Sequence, residues 1–378
     1  MKTITLKILR KVMMKKGYSS YFASRVPQMF IKDLLQSENI SFKQKKWAYQ
    51  KGFLSSRAHT YRINESNYKD HMPDFDYYKL SPIDGRYSAW IDDKLTMKYM
   101  LRPFDEYLPE YYFQLTESGI LRLMDCPCDI GSDLSGVLEL LRREGHLTFK
   151  ALAGSLGEGF YKLSYKNNIY CINNKTSDLK DVEALLLNLK GYLVTEYILS
   201  HDSIRKIYDV TPNTLRVQLI RNEDKKPKIT GSFIRFGTRE SGVLETPLAG
   251  GIIAGVDLIN GRTFDANIII NQNLKNIKYH PDTNEDLELV LPAWEDIKLK
   301  VEEISDYMPQ LSYLGFDIII TNEGFRIIEI NSLTAPTVLS YYYPLFADGY
   351  SKEYFTKKCQ MRPTKFRRLL KMLSERVS

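Results

Sequence analysis

The chain predicts an α+β fold, with strands gathered in its middle and helices toward both ends. Three observations carry that expectation. Strand-like segments between His146 and Ile330 come in runs, without the strict strand–helix alternation of a parallel sheet. Apolar residues follow helical spacing near both termini, as in Ile4, Ile8, Leu9, Val12 and Met13, and again in Phe366, Leu369, Leu370 and Leu373. The composition is 43% hydrophobic and 26% charged over 378 residues, ordinary for a globular chain of two or three domains. Aromatics at 12% favour strands and stacking surfaces.

In chain order, residues 1–75 read as polar helices ending in a loop at His71-Met72-Pro73. Ile91 to Arg102 reads as one helix opened by Asp92-Asp93, and Tyr111 to Leu115 with Ile120 to Leu123 as a small hairpin. Ser132 to Arg143 is a helix with a Ser-Asp cap. Strands follow at His146 to Lys150, Phe160 to Ser164 and Ile169 to Ile172. A helix covers Asp178 to Leu189, and a buried strand Gly191 to Ile198. Thr214 to Arg221 and Lys228 to Thr238 are strands by alternation and β-branching. Gly250 to Ile259 and Thr263 to Ile270 form a hairpin about Asn260-Gly261. Ala293 to Tyr313 is a long helix, and Phe316 to Thr321 and Phe325 to Ile330 are the last strands.

The formal net charge is +7, but it is unevenly placed. Residues 1–50 carry eleven Lys/Arg and two acids, and residues 351–378 nine and two, so the middle is acidic. A basic total spread this way, with no recognised reading motif, argues against nucleic acid as a partner. The basic amphipathic ends suit either an anionic membrane surface or, the favoured role, helices docked on the body with a solvated basic face. Four cysteines, with Cys126-Pro-Cys128 lacking a second pair, exclude a zinc site and fit reduced thiols. No apolar run reaches the roughly 20 residues that span a bilayer. The expected location is the cytoplasm, with contact at the inner face of the membrane.

Four places could carry chemistry. Lys150 ends a strand and leads into Gly154-Ser155-Leu156-Gly157-Glu158-Gly159, where glycines let backbone N–H groups approach an anion and lysine adds a point charge. It fits neither a Walker A nor a Rossmann fingerprint, and a ligand-free glycine turn reads as well. In the last hairpin, a three-residue turn at Asn322-Glu323-Gly324 would set Asp317 opposite Glu329. Alternation then puts Glu329 and Asn331 on one face, with Ile328 and Ile330 on the other. Three hard oxygen ligands so placed suit Mg²⁺; a solvent-facing edge hairpin is the bland alternative. Arg216 and Arg235 lie on buried strands, suited to phosphate or carboxylate, or to structural acids. Glu196-Tyr197-Ile198 ends a buried strand whose backbone could meet an adenine edge. No nucleophile–His–acid triad and no general base stand out.

Taken in order, these residues resemble the ATP-grasp superfamily, and within it the sugar-transfer-associated group found with polysaccharide synthesis. The resemblance runs from about Asp92 to Asn331 through Asp92-Asp93-Lys94, Lys150 and the glycine loop, Thr195 to Ile198, Asn213-Thr214-Leu215-Arg216, Arg235-Phe236-Gly237, Gly250-Gly251, Pro292-Ala293-Trp294 and Gly315-Phe316-Asp317 to Asn331. It implies two α/β subdomains clamping ATP, with helical extensions at both ends. The implied divisions are a helical region at 1–85, a first subdomain at 86–145, a nucleotide lid at 146–200, a metal-bearing subdomain at 201–345 and a basic tail at 346–378. It further implies that Lys94 and Lys150 contact phosphates under a flap of Gly154, Ser155, Gly157 and Gly159. Glu196, Tyr197 and Ile198 would form the adenine hinge. Asp317, Glu329 and Asn331 would hold Mg²⁺, and Arg216 and Arg235 would steady a phosphoryl group. Where an Asp-Asn pair is expected before Gly250, the chain reads Leu244-Glu245-Thr246-Pro247.

The reaction so implied is a carboxylate–amine ligation through an acyl phosphate. It would add an amino acid or similar group to a cell-surface polysaccharide, capsule or glycan precursor, from small carboxylate and amine substrates. A sugar kinase on the same nucleotide site, and a non-catalytic glycan- or membrane-associated scaffold, are the rival expectations.

Overall fold

The computed structural model describes residues 2–36, 39–152, 159–223, 225–334 and 336–360. Helices α1 (Lys2–Lys15) and α2 (Ser20–Gln36) fold back on each other at Gly17. Their inward residues Met13, Phe22 and Val26 bury against Phe75. Ser41 opens α3 (Phe42–Lys51) with a reciprocal box to Gln44, and Gly52, at φ 86°, closes it. Two short helices follow, α4 (Ser55–Thr60) and α5 (Asp74–Tyr78). Arg57 of α4 is buried and fastens this region to the body. It donates to Asp74 Oδ1 (3.0 Å), to the Met72 and Pro336 carbonyls (3.1 and 3.2 Å) and to Ser340 Oγ (2.8 Å).

The single helix expected from Ile91 to Arg102 is two: α6 (Ala89–Asp92) and α7 (Lys94–Met100). Asp93 between them is extended and caps α7 by accepting from the Thr96 N–H at 2.7 Å. An aspartate that can cap competes with helix continuation.

The first sheet draws on β1 (Tyr111–Thr116), β2 (Gly119–Arg122), β3 (His146–Ala151), β4 (Tyr161–Lys166), β5 (Ile169–Ile172), β6 (Lys175–Ser177) and β7 (Tyr192–Glu196). Its order is β2-β1-β7-β3-β4-β5-β6, antiparallel throughout. Helices α8 (Leu134–Glu144) and α9 (Leu179–Asn188), each capped by an aspartate, share its core with Phe113, Leu147, Phe149 and Val194. Because β1 pairs with β7, residues 86–145 divide between the halves: β1, β2 and α8 join this sheet, whereas α6 and α7 pack on the other.

After the short α10 (Asp202–Arg205) come β8 (Leu215–Ile220), β9 (Lys228–Phe236), β10 (Ile252–Val256), β11 (Thr263–Ile270) and β12 (Asn273–Asn276). Helix α11 (Trp294–Tyr307), the hairpin β13 (Tyr313–Thr321) and β14 (Gly324–Asn331), and α12 (Thr337–Tyr342) and α13 (Gly349–Gln360) complete the described chain. The second sheet runs β12-β11-β10-β9-β8-β13-β14, also antiparallel. One face packs on α7 and α11; the other meets α3, α4 and α12. Burial on both faces explains why β13 is apolar almost throughout. The helix expected to run to Tyr313 stops at Tyr307, because Pro309 pushes Met308 out of the helical region. Strands β6 and β12 escaped the sequence pattern: both are short, polar edge strands with no apolar alternation.

Replacing Arg57 with alanine should cost about 3–5 kcal/mol, because Asp74 would stay buried without its counter-charge. Urea denaturation checks this, and a loss below about 1 kcal/mol would show that the pair does not anchor the N-terminal helices.

Candidate functional site

The last hairpin sets the geometry. Its turn is two residues long, with Thr321 paired to Gly324, and not the three residues expected. On that register alone Ile328 would face Asp317. A bulge after Ile327 supplies the missing residue, so Asp317 does pair with Glu329, and Gly315 with Asn331. The bulge also switches the alternation. Phe325 and Ile327 point into the core, as does Ile330, leaving Glu329 and Asn331 on the opposite face; Ile328, expected beside Ile330, is only half-buried.

Arg216 of β8 lies directly across from Asp317. It forks the carboxylate, Nε to Oδ1 at 2.7 Å and Nη2 to Oδ2 at 2.8 Å, while Arg235 of β9 adds Nη2 to Oδ1 at 3.2 Å. Burial alone would raise the Asp317 carboxyl; the two guanidiniums outweigh it and hold it below the usual carboxylate range. Glu329 is neutralised more sparingly, by Lys94 Nζ at 3.2 Å, and is about a third exposed (33%). Lys94 opens α7, and that helix pair is pinned to the hairpin by Asp92, which accepts from Ser332 N and Oγ at 3.1 and 2.8 Å. Asn331 Nδ2 is buried and has no hydrogen-bond partner among the described residues.

Lys150, at the end of β3, reaches this group from the other sheet. Burial pushes its ammonium down to about 8; Glu329 and Asp317 pull it back in part, and Lys94 opposes them. No ion pair fixes it among the described residues. Leu147, three residues back along β3, pairs with Glu196, so roughly 10 Å of ladder separate Lys150 from the Glu196–Ile198 corner. There Glu196 exchanges bonds with Glu110, N–H to carbonyl at 2.9 Å and Glu110 N–H to Glu196 Oε2 at 3.2 Å. Tyr197 lies under Lys162 Nζ, 4.2 Å from the ring centroid, and burial with Glu245 nearby pushes its hydroxyl up to about 12. Ile198 is buried. Gly159, at φ 74°, leaves no room for a Cβ, which would sit 2.6 Å from the Tyr192 hydroxyl. Gly154, Ser155 and Gly157 lie outside the described residues.

Two neighbours escaped the sequence. Glu245 accepts from the Thr214 N–H at 2.8 Å and from its hydroxyl; burial raises its carboxyl despite Arg235. Its signal was the odd Leu-Glu-Thr-Pro stretch, which gave no partner. Tyr111 is buried within the field of Glu329 and Asp93 and carried no signal beyond its place in an apolar strand.

The arrangement thus sets two lysines and two arginines, from two sheets and helix α7, around a paired Asp and Glu, a set of groups suited to a phosphate ester and a hard cation. Residues 76–340 match the sugar-transfer associated ATP-grasp family. The chain belongs to that family. The membership fixes the fold as ATP-grasp, a nucleotide-binding architecture.

Among solved structures the ATP-grasp chain is similar to D-alanyl-alanine synthetase A from Vibrio cholerae, at 14% identity over 75% of this chain and 71% of that one, with a TM-score of 0.43. It is also similar to D-alanine–D-alanine ligase from Bacillus anthracis, at 12% identity over 81% and 79%, with a TM-score of 0.39. A third is biotin carboxylase from Campylobacter jejuni, at 12% identity over 72% and 46%, with a TM-score of 0.41. The chain spans 52% and 43% of the two N5-carboxyaminoimidazole ribonucleotide synthetases it matches. Likenesses this distant say nothing of this chain's reaction. No curated protein matches the chain in sequence. Among the described residues no helix is long and apolar enough to cross a membrane.

Asp317→Asn should cost about 3–5 kcal/mol, since Arg216 and Arg235 would remain buried without a carboxylate. The folded carboxyl lies below its unfolded value of 3.8, so this stability is present above that pH and lost as pH falls through the folded value. Denaturant titrations against pH check both statements, and a wild-type-like midpoint in the variant would refute them.

Proposed function

We propose that this chain is an ATP-dependent carboxylate–amine ligase, joining an amino acid or similar group to a cell-surface polysaccharide or its precursor. The observation that carries the nucleotide part is Lys150. A desolvated ammonium beside Lys94, with no fixed counter-ion among the described residues, is stabilised by an incoming anion. The polysaccharide part rests on the family alone.

In this reading Lys94 and Lys150 hold phosphate oxygens. The Glu196–Ile198 corner receives the base, and Arg216 with Arg235 faces the transferred phosphoryl group. A carboxylate oxygen of the substrate attacks the terminal phosphorus, and the bond to the leaving ADP oxygen breaks. The amine then attacks the acyl carbon, expelling inorganic phosphate and leaving an amide. The residues fit a divalent cation: two opposed carboxylates, with the side-chain amide oxygen of Asn331 on the same face, are hard oxygen donors. Asp317, Glu329 and Asn331 would hold Mg²⁺, which when bound neutralises charge on the phosphates. Asp317 keeps both guanidiniums aimed, so the site is organised before substrate arrives.

Incubation with Mg-ATP, amino acids and uronic or amino sugars, followed by mass spectrometry, tests the reaction. A ligase yields an amide and free phosphate; phosphate retained on a hydroxyl would make the chain a kinase, and no turnover with any acceptor would favour a scaffold. Glu329→Gln should abolish turnover with the fold intact, and wild-type rates in that variant would remove Glu329 from the metal site. Phosphates beside Lys150 raise its pKa, so ADP binding just above pH 8 should take up protons. Calorimetry in buffers of different ionisation heat measures this; undiminished uptake in Lys150→Met would exclude Lys150.

A further inference from the structure

Helices α1 and α2 are docked, the role favoured for the first of them, though Val12 of its expected apolar stripe is exposed, and their outward faces have an unusual balance. On α2, Tyr21, Arg25, Lys32 and Leu35 fall on one stripe, opposite the buried Phe22 and Val26. On α1, Lys7, Arg10, Lys11 and Met14 do the same opposite Met13. All eight stripe residues are exposed, Leu35 to 66% and Met14 to 45%.

The two helices contain one acid, Asp33, and its charge is directed inward. It accepts from Ser55 N and Oγ at 2.7 and 2.6 Å, from Ser56 N at 3.0 Å and from the Tyr49 hydroxyl at 2.8 Å. Lys7, Arg10, Lys11, Arg25 and Lys32 have no acidic partner among the described residues. The outer face therefore offers cations interleaved with apolar side chains and no opposing charge.

We propose that this face lies on an anionic phospholipid bilayer. Cations meet headgroups while Met14, Tyr21 and Leu35 enter the interface, as on helices that lie in a membrane plane without crossing it. A nucleic acid or other polyanion would use the cations and leave the apolar residues idle. The proposal does not depend on the ligase reading.

Sedimentation of the full chain with vesicles of phosphatidylcholine alone, or mixed with phosphatidylglycerol, tests it. The chain should pellet with the mixed vesicles only, and less so as salt rises. Lys11→Gln with Arg25→Gln and Lys32→Gln should weaken binding by about a hundredfold, at roughly fivefold per charge lost. Met14→Ser with Tyr21→Ser and Leu35→Ser should weaken it while thermal unfolding and the far-ultraviolet circular dichroism stay as in the wild type. Failure to pellet with anionic vesicles, equal pelleting with neutral ones, or insensitivity to salt would overturn the proposal. Heparin retention with the apolar variant still bound to vesicles would overturn it too, marking a polyanion site instead.

Discussion

The Asp317 carboxylate, forked by Arg216 and touched by Arg235, is the interaction on which the site is built. It joins β9, β8 and β13 by charge at the point where their backbones are already paired. Burying three charges is costly, and it is tolerated only where oxygens and guanidiniums satisfy one another. The result is a rigid cationic wall whose direction is fixed before any ligand arrives. Asp317 is thereby largely committed. Glu329, held by one lysine and partly exposed, is the freer of the two carboxylates.

The other half of the site works differently. Sheet one contributes Lys150, with no ion pair among the described residues, while sheet two and α7 contribute charges that are anchored. An anion between the sheets would satisfy the unanchored side and link the halves. The chain that connects them is itself tied to the last hairpin. Just past Ile198, His201 N–H donates to the Ile320 carbonyl at 2.7 Å and Asp202 N–H to Asn322 Oδ1 at 3.0 Å. A shift of one sheet against the other therefore bears on the hairpin turn.

The sequence was most legible where one residue type left few choices. The Ser132-Asp133 cap and a hairpin about Asn260-Gly261 each named a local structure that formed, the latter with a six-residue loop between Val256 and Thr263. Motif order exposed Lys94, Lys150, Arg216, Asp317 and Glu329 as members of one site, and the structure brings them together. What stayed hidden depended on distant partners. Nothing near Glu245 in sequence announces Thr214, and nothing near Asp92 announces Ser332, 240 residues away. Polar edge strands such as β12 form because a neighbour offers a free edge, which local alternation does not record.

The last hairpin shows how a register can be predicted correctly from an incorrect turn. Strict alternation from Phe325 and Ile327 would carry Glu329 and Asn331 inward, among Phe316, Ile318 and Ile330. A carboxylate there would lack water and counter-charge, a cost of several kcal/mol. The two-residue turn at Asn322-Glu323 would impose that arrangement on a regular strand. One extra residue at the bulge reverses the phase of everything after it, sending Ile330 to the core and Glu329 toward Lys94. The carboxylate is thus placed by a backbone irregularity, and the irregularity persists because the core and the lysine both require the phase it creates.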